Sequence, residues 1–360
     1  MKINTPLSEA LGTDIPLLLA PMAGGPTTAQ LVSAVSNAGA FGQFGAAYLN
    51  GEKIRSSAEE IRTQTNKGFG VNLFIPEEPP YTPDDLRAAT SAISPHCKYL
   101  GIEEPQDVTQ PMPGFEDQMA AVLESGVKLC SFHFGIPSPG IIDALKYENI
   151  LTAVSATSVD EAITAETAGV DFIIAQGSEA GGHRGTWIGD WKNSMTGTLS
   201  LVAQLTEQLK TPVVAAGGIM DGRGMAAALA LGAAGVQMGT AFLTCPEAGA
   251  HPGYKRALLE SKSDTTTVTK TFSGRPARGL RNRYITEMED TGAAILPFPF
   301  QNKLTNSLRK AAADTNDTDF MSLWAGQAAS LSRGLPAAQL IASVVTEYTK
   351  ALEDAAQAVV

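Results

Sequence analysis

"VVAAGGIMDGRGMAAALALGAAGVQMGT", residues 213–240, holds two short apolar runs on either side of a helix-length segment. Val213-Val214-Ala215-Ala216 stops at the pair Gly217-Gly218, and Gly235-Val236-Gln237-Met238 stops at Gly239-Thr240. Between them Asp221 stands where a helix N-cap belongs, ahead of an apolar stretch that runs to Leu231. Buried strand, crossover helix, buried strand is the repeating unit of a parallel sheet.

The same rhythm extends in both directions. Short apolar runs at 16–20, 41–44, 68–73, 127–132, 150–154, 170–175, 212–216 and 235–238 read as strands. Stretches at 28–37, 57–66, 114–124, 138–147, 158–168, 197–209 and 222–231 read as amphipathic helices. Eight evenly spaced units predict a (β/α)8 TIM barrel with a packed parallel core, ahead of a doubly wound open sheet. The barrel is assigned to residues 1–248.

Two segments break the rhythm. Residues 76–113, proline- and acid-rich at Glu77-Glu78-Pro79-Pro80 and Glu103-Glu104-Pro105, are expected to form an excursion with its own short helix. Residues 249–334 are too long for a connecting loop and are expected to form a smaller, mainly helical second domain, inserted after strand eight as a substrate lid. Within it 265–269 reads as β, and 302–313 and 320–332 read as helices. Ala338, Ile341, Val344, Val345, Tyr348 and Leu352 share one helical face, so 335–360 is expected to return to the barrel as its last helix.

Composition narrows the function. A net charge of -11 without any basic block argues against nucleic acid or an anionic membrane as partner. No apolar leader and no run of membrane-spanning length stand out, so neither a signal peptide nor a membrane span is expected, and a cytoplasmic location is. Cys97, Cys130 and Cys245 are scattered, and His96, His133, His183 and His251 have no metal-ligand spacing. Neither a disulfide framework nor a metal site is expected.

Chemistry in such a barrel sits just beyond the carboxyl ends of the strands. Strand one ends in Ala20-Pro21-Met22-Ala23, strand three in Asn72, strand four in His133-Phe134-Gly135, and strand six in Gln176-Gly177 with "QGSEAGGHRG" (176–185) leading to His183. The glycine turns after the last two strands, Gly217-Gly218 and Gly239-Thr240, have the layout in which backbone N–H groups hold a phosphate without lysine. Asn72 and Gln176 each donate and accept, which suits either a heterocycle edge or the tethering of nearby backbone. His183, on a glycine-shaped loop over the mouth, is the candidate for proton exchange or anion binding. His133 is flanked by Phe132 and Phe134, so packing and a weak substrate role both stand. His96 and His251 are expected at the surface, Cys130 and Asp171 are read as structural, and Arg184 is expected to brace its loop through a carboxylate.

"LLLAPMAGGPTTAQLVSAVSNAGAFGQFGAAYL", "GFGVNLF", "SFHFG", "QGSEAGGHRG", the opening stretch and "FSGRPARGLRN", taken in order, resemble the nitronate monooxygenases, also called 2-nitropropane dioxygenases. The resemblance covers most of the chain and is nearest to the class acting on propionate 3-nitronate. It implies an FMN-binding barrel that converts alkyl nitronates and O2 to a carbonyl compound and nitrite. It implies that Pro21, Met22 and Ala23 line the flavin, that Asn72 and Gln176 hydrogen-bond it, and that Gly181 lets the loop approach it. Gly217, Gly218, Gly239 and Thr240 would hold its phosphate, Gln237 and Met238 belong to the same segment, and His183 matches the active-site histidine. Arg275, Arg278, Arg281 and Arg283 either draw in an anionic substrate or brace a domain junction. The alternatives are an FMN-dependent NAD(P)H reductase of quinones or enoyl-acyl carrier protein, and a flavin-binding protein without catalysis.

Overall fold

The computed structural model describes residues 1–77, 79–105, 108–109 and 112–358. Glu78 and residues 106–107 and 110–111 of the expected excursion, and the last two residues of the expected final helix, lie outside that set.

Eleven strands are present among the described residues: β1 Leu17–Leu19, β2 Gly42–Gly45, β3 Phe69–Phe74, β4 Leu129–His133, β5 Leu151–Ala156, β6 Phe172–Gln176, β7 Gly182–His183, β8 Val213–Ala216, β9 Gly235–Met238, β10 Thr266–Thr269 and β11 Ala277–Leu280. Eight of them form one parallel sheet in the order β1-β9-β8-β6-β5-β4-β3-β2. The two ends of that order meet. Leu18 bridges Phe41 in parallel, with Phe41 N–H donating to Leu17 O and Leu19 N–H to Phe41 O, both at 2.9 Å. The neighbours follow chain order around a ring, as a TIM barrel requires and a doubly wound sheet does not.

Most of the barrel strands are short apolar runs buried on both faces and cut off by a turn, while β2, Gly42-Gln43-Phe44-Gly45, is buried with a polar side chain in its middle. Local signals set the helices. Thr28, Asn50, Ser158 and Asp221 accept backbone N–H groups at the first turns of Ala29–Asn37, Gly51–Gln64, Val159–Thr167 and Gly222–Ala230. The Asn50 cap starts its helix at Gly51, six residues ahead of the expected 57. The final helix, Ala337–Gln357, packs against Gly222–Ala230 and Ala29–Asn37, completing the helical layer beside β1. Its Glu347 accepts from the backbone N–H of Gly222 at 3.0 Å and pairs with Arg333 at 2.6 Å.

A second apolar core lies beyond the barrel. The excursion supplies Ala89, Ile93 and Cys97 from Pro83–Tyr99, a 17-residue helix and so longer than expected. Residues 249–334 supply Tyr254, Leu258, Tyr284, Met288, Leu304, Leu308 and Phe320 to the same cluster. The excursion and the insertion after β9 are thus packed as one layer. That burial overturns the surface placement of His96, which is 7% exposed between Tyr284 and Phe320, with Glu287 3.4 Å from its Nδ1. His251 is half-buried and caps Pro252–Leu259 by accepting from Gly253 N–H.

Two expected helices of the insertion differ. The stretch at 302–313 is two helices, Phe300–Leu304 and Asn306–Asp314, divided at Thr305. The stretch at 320–332 is extended and irregular apart from one 3-10 turn, Ala329–Leu331. Its backbone is claimed by β11, because Leu280 N–H donates to Leu323 O and Ala325 N–H to Arg278 O. Sheet partnership overrides the helical periodicity there. No helix of the described residues is long and apolar enough to cross a membrane.

Candidate active site

A cavity of about 980 Å³ opens at the carboxyl ends of the barrel strands, between them and the second layer. Pro21, Met22 and Ala23 line it after β1, Asn72 within β3, His133 at the end of β4, and Gln176 at the end of β6. Gly181 and His183 enter from the loop beyond β6, Gly217 and Gly218 from the turn after β8, and Gln237, Gly239 and Thr240 from β9 and its end. Met238 is the exception: it alternates away from Gln237, is 1% exposed and belongs to the barrel core.

The loop carrying His183 is held from three sides. Gly182–His183 is a two-residue strand, β7, paired antiparallel with β11 (His183 opposite Ala277), so the second layer fixes it. Gln176 donates from Nε2 to His183 O at 2.9 Å and accepts the Gly185 N–H on Oε1 at 2.7 Å. His133 donates from Nε2 to the same His183 carbonyl at 3.2 Å, which sets its tautomer. Arg184 is fully buried, and its guanidinium donates to the carbonyls of Gln176, Gly177 and Ser194 at 3.1, 2.6 and 2.7 Å. The arginine braces the loop as expected, through carbonyls and not a carboxylate. Gly181 is required by contact with protein backbone: a Cβ there would lie 2.5 Å from Gly326 N.

The imidazole of His183 stands among Trp324, Phe298, Phe134 and Phe74, with ring centroids 5.6–6.3 Å away. Its Nε2 is sealed from solvent and has no hydrogen-bond partner among the described residues. Burial, then the neighbouring charges of His133, Arg275 and Arg309, lowers its pKa to about 3. His133 falls to about 3 by the same desolvation. Both are neutral in the folded protein but take up a proton near their ordinary 6.5 when unfolded. The unfolded chain therefore binds more protons, and stability falls as pH drops from about 6.5 toward about 3. Urea midpoints are expected to fall between about pH 6.5 and about pH 4.5, and His133→Gln should flatten part of that slope. An identical slope in the variant would mean that His133 is not held neutral.

On the β8 side, Gly217 and Gly218 have φ of 125° and 69°, a left-handed path that points the turn into the cavity. Neither Gly218 N–H nor Gly239 N–H has an acceptor among the described residues. The helix Thr198–Gln208 is already capped: Glu179 accepts from Thr198 N–H at 2.8 Å and Thr198 Oγ1 at 2.8 Å. Across the barrel, Gln43 Nε2 donates to Gln237 Oε1 at 2.9 Å, while Gln43 Oε1 accepts from Ser131 Oγ, the group to which Asn72 Nδ2 donates. This chain of amides fixes which edges of Asn72 and Gln237 face the cavity.

The arginines at 275–283 do not converge there. Arg275 pairs with Glu77 at 2.7 Å and stacks over Phe134, Arg278 donates to Ser178 O, and Arg281 and Arg283 pair with Glu289 and Glu287. They join segments. The cations on the lining are Lys303 and Arg309, and strand-end logic misses both because they lie on insertion helices. Tyr48, three residues past β2, was within reach of that logic and also lines the cavity.

A closed parallel barrel with one large cavity at its strand ends defines a (β/α)8 enzyme. The chain belongs to the nitronate monooxygenase family, a family of oxidoreductases, whose model matches residues 4–347. It is 42% identical to a probable nitronate monooxygenase of Staphylococcus aureus (strain MSSA476), over 96% of this chain and 98% of that one. It superposes on nitroalkane oxidase from Streptomyces ansochromogenes with a TM-score of 0.91 at 37% identity, covering 97% and 99% of the two chains. FabK from Thermotoga maritima is similar at a TM-score of 0.77 and 29% identity, over 99% of this chain and 100% of its own.

Proposed function

We propose that the protein oxidises alkyl nitronates, propionate 3-nitronate foremost, with O2 to a carbonyl compound and nitrite, using flavin mononucleotide. One observation carries the reading: a neutral, half-buried imidazole that lines the large cavity, on a loop rigidly tethered through its backbone and among four aromatic rings. A nitronate is already a carbon nucleophile and needs no strong base. A neutral N–H donor that steadies its anionic oxygens is the appropriate partner.

The residues fit the cofactor. A cavity of about 980 Å³ is at the upper end of small-molecule sites. The free N–H groups of Gly218 and Gly239, on turns that expose backbone, are suited to a phosphate in a chain of net charge -11. Asn72 and Gln237 are positioned to hydrogen-bond the heterocycle, and Pro21-Met22-Ala23 to pack beside it; Gln176 supports it indirectly by tethering the histidine loop. When bound, the flavin supplies the electron acceptor. Phe74, Phe134, Phe298 and Trp324 exclude water around His183, which strengthens its polar contacts. The three buried free thiols suit a reducing compartment, the cytoplasm.

The test is a visible spectrum followed by two additions. A yellow protein that consumes O2 and releases nitrite with propionate 3-nitronate, and whose colour survives anaerobic NADH, bears the reading out. Rapid anaerobic bleaching by NADH without nitrite release would make it a reductase instead.

A further inference from the structure

Arg309 is, with Lys303, one of two cations on the cavity lining that hold neither the flavin nor the nitronate end of the substrate. It lines the cavity from helix Asn306–Asp314, half-buried, with its Nε donating to Thr305 Oγ1 at 3.2 Å and one terminal nitrogen donating to Asn302 O and Oδ1 at 2.7 and 3.0 Å. These contacts aim the guanidinium but bring no negative charge to it. No carboxylate among the described residues pairs with it: the groups whose negative charge would favour its charged form are the phenols of Tyr48 and Tyr284. Glu103, the carboxylate on the cavity lining, makes no ion pair with it. Elsewhere, Arg55, Arg223, Arg275, Arg281, Arg283 and Arg333 meet carboxylates, and buried Arg184 and Arg278, which are not on the cavity lining, donate to backbone carbonyls.

A partly desolvated guanidinium without a carboxylate partner among the described residues is stabilised when an anion arrives. Its charge also reaches His183. Arg309 acts electrostatically on Tyr48, whose ring meets Phe74 edge-on at 5.7 Å, and Phe74 in turn meets His183 at 6.3 Å. One cavity therefore carries the imidazole of His183 among aromatic rings and, on the insertion side, a cation with no carboxylate partner among the described residues, a layout for a ligand with two polar ends.

We infer that Arg309 is a specificity-determining residue that anchors the distal carboxylate of a carboxylate-bearing nitronate whose nitronate end lies at His183. This rests on the nitronate reading and adds to it a reason for preferring an ω-carboxylate over an alkyl tail.

The experiment compares wild type with Arg309→Met and Arg309→Lys in the full chain. Against propionate 3-nitronate, Arg309→Met is expected to raise KM about 100-fold, the scale of truncating a buried charged partner, with Arg309→Lys recovering part of it. Against propyl 1-nitronate, of similar length without the carboxylate, KM should move less than about threefold, which also reports that the fold is intact. Equal changes for both substrates, or no change for either, overturn the assignment. So does loss of flavin from Arg309→Met, which would make the cofactor phosphate the partner. If wild type consumes neither nitronate, the functional reading has failed, and the anchor is still decided by succinate, a two-ended isostere, titrated against tryptophan fluorescence. Saturable binding to wild type that is lost in Arg309→Met supports the anchor, and indistinguishable titrations sink it.

Discussion

Gly218→Asp is expected to yield a folded protein that no longer retains flavin. The turn at 218 has φ 69°, a conformation that aspartate and asparagine adopt more readily than most residues. A Cβ there would lie 3.1 Å from Glu179 Cβ, a tight contact that a shift of a few tenths of an ångström relieves. The steric cost is therefore about 1 kcal/mol, too little to unfold the barrel. The charge is another matter. The new carboxylate would share the turn with the free N–H groups assigned to the phosphate, beside the Glu179 carboxylate already committed to Thr198. Two like charges about 4 Å apart at an effective dielectric of about 20 repel by about 4 kcal/mol, about a thousandfold in affinity. Gly218→Asn has nearly the same shape without the charge and should keep most of its flavin. The ratio of flavin to protein absorbance after gel filtration, with a thermal melt beside it, makes the comparison. Full flavin retention in the aspartate variant would place the phosphate elsewhere.

The barrel was legible because most of its strands are short, mainly apolar runs that stop at a turn, and because eight such units close in chain order. The cavity lining was legible where a residue lies within a residue or two of a strand end, as at Asn72, Gln176 and Gly217-Gly218. What lay outside that rule was decided by distant partners. Residues 320–325 have helical periodicity but are extended, because β11 accepts them as a neighbour. His96 belongs to an acid-rich excursion yet is buried, because the insertion packs over it. Arg309 reads as one more surface cation on an amphipathic helix. Only the fold brings that helix against a cavity more than sixty residues away in sequence from β9. Even the histidine loop hid a partner: β7 is two residues long, too short to carry a periodic signal, and its pairing with β11 comes from the insertion.

His183→Asn is the second decisive variant, and its expected signature is a split. Flavin content should match wild type, because His183 is assigned no contact with the phosphate cradle and its loop is tethered through backbone at the 183 carbonyl. Turnover of the nitronate should fall about 100-fold, the usual effect of removing one donor aimed at developing or resident anionic charge. Turnover of the neutral nitroalkane should fall further, to background, because that substrate must also lose a proton from carbon and asparagine cannot accept it. The wild-type ratio between the two substrates follows from the same environment. An imidazole whose pKa is held to about 3 is a poor base toward a carbon acid, so the preformed nitronate should be strongly preferred already. An incoming anion offsets the Arg275 and Arg309 charges that help to depress that pKa, so the imidazole becomes more basic once the nitronate is seated. Oxygen uptake with both substrates, measured against pH, separates the roles. If His183→Asn loses nitronate and nitroalkane turnover in equal proportion, the proton transfer belongs to another group. If it loses neither, the caged imidazole takes no part in the chemistry.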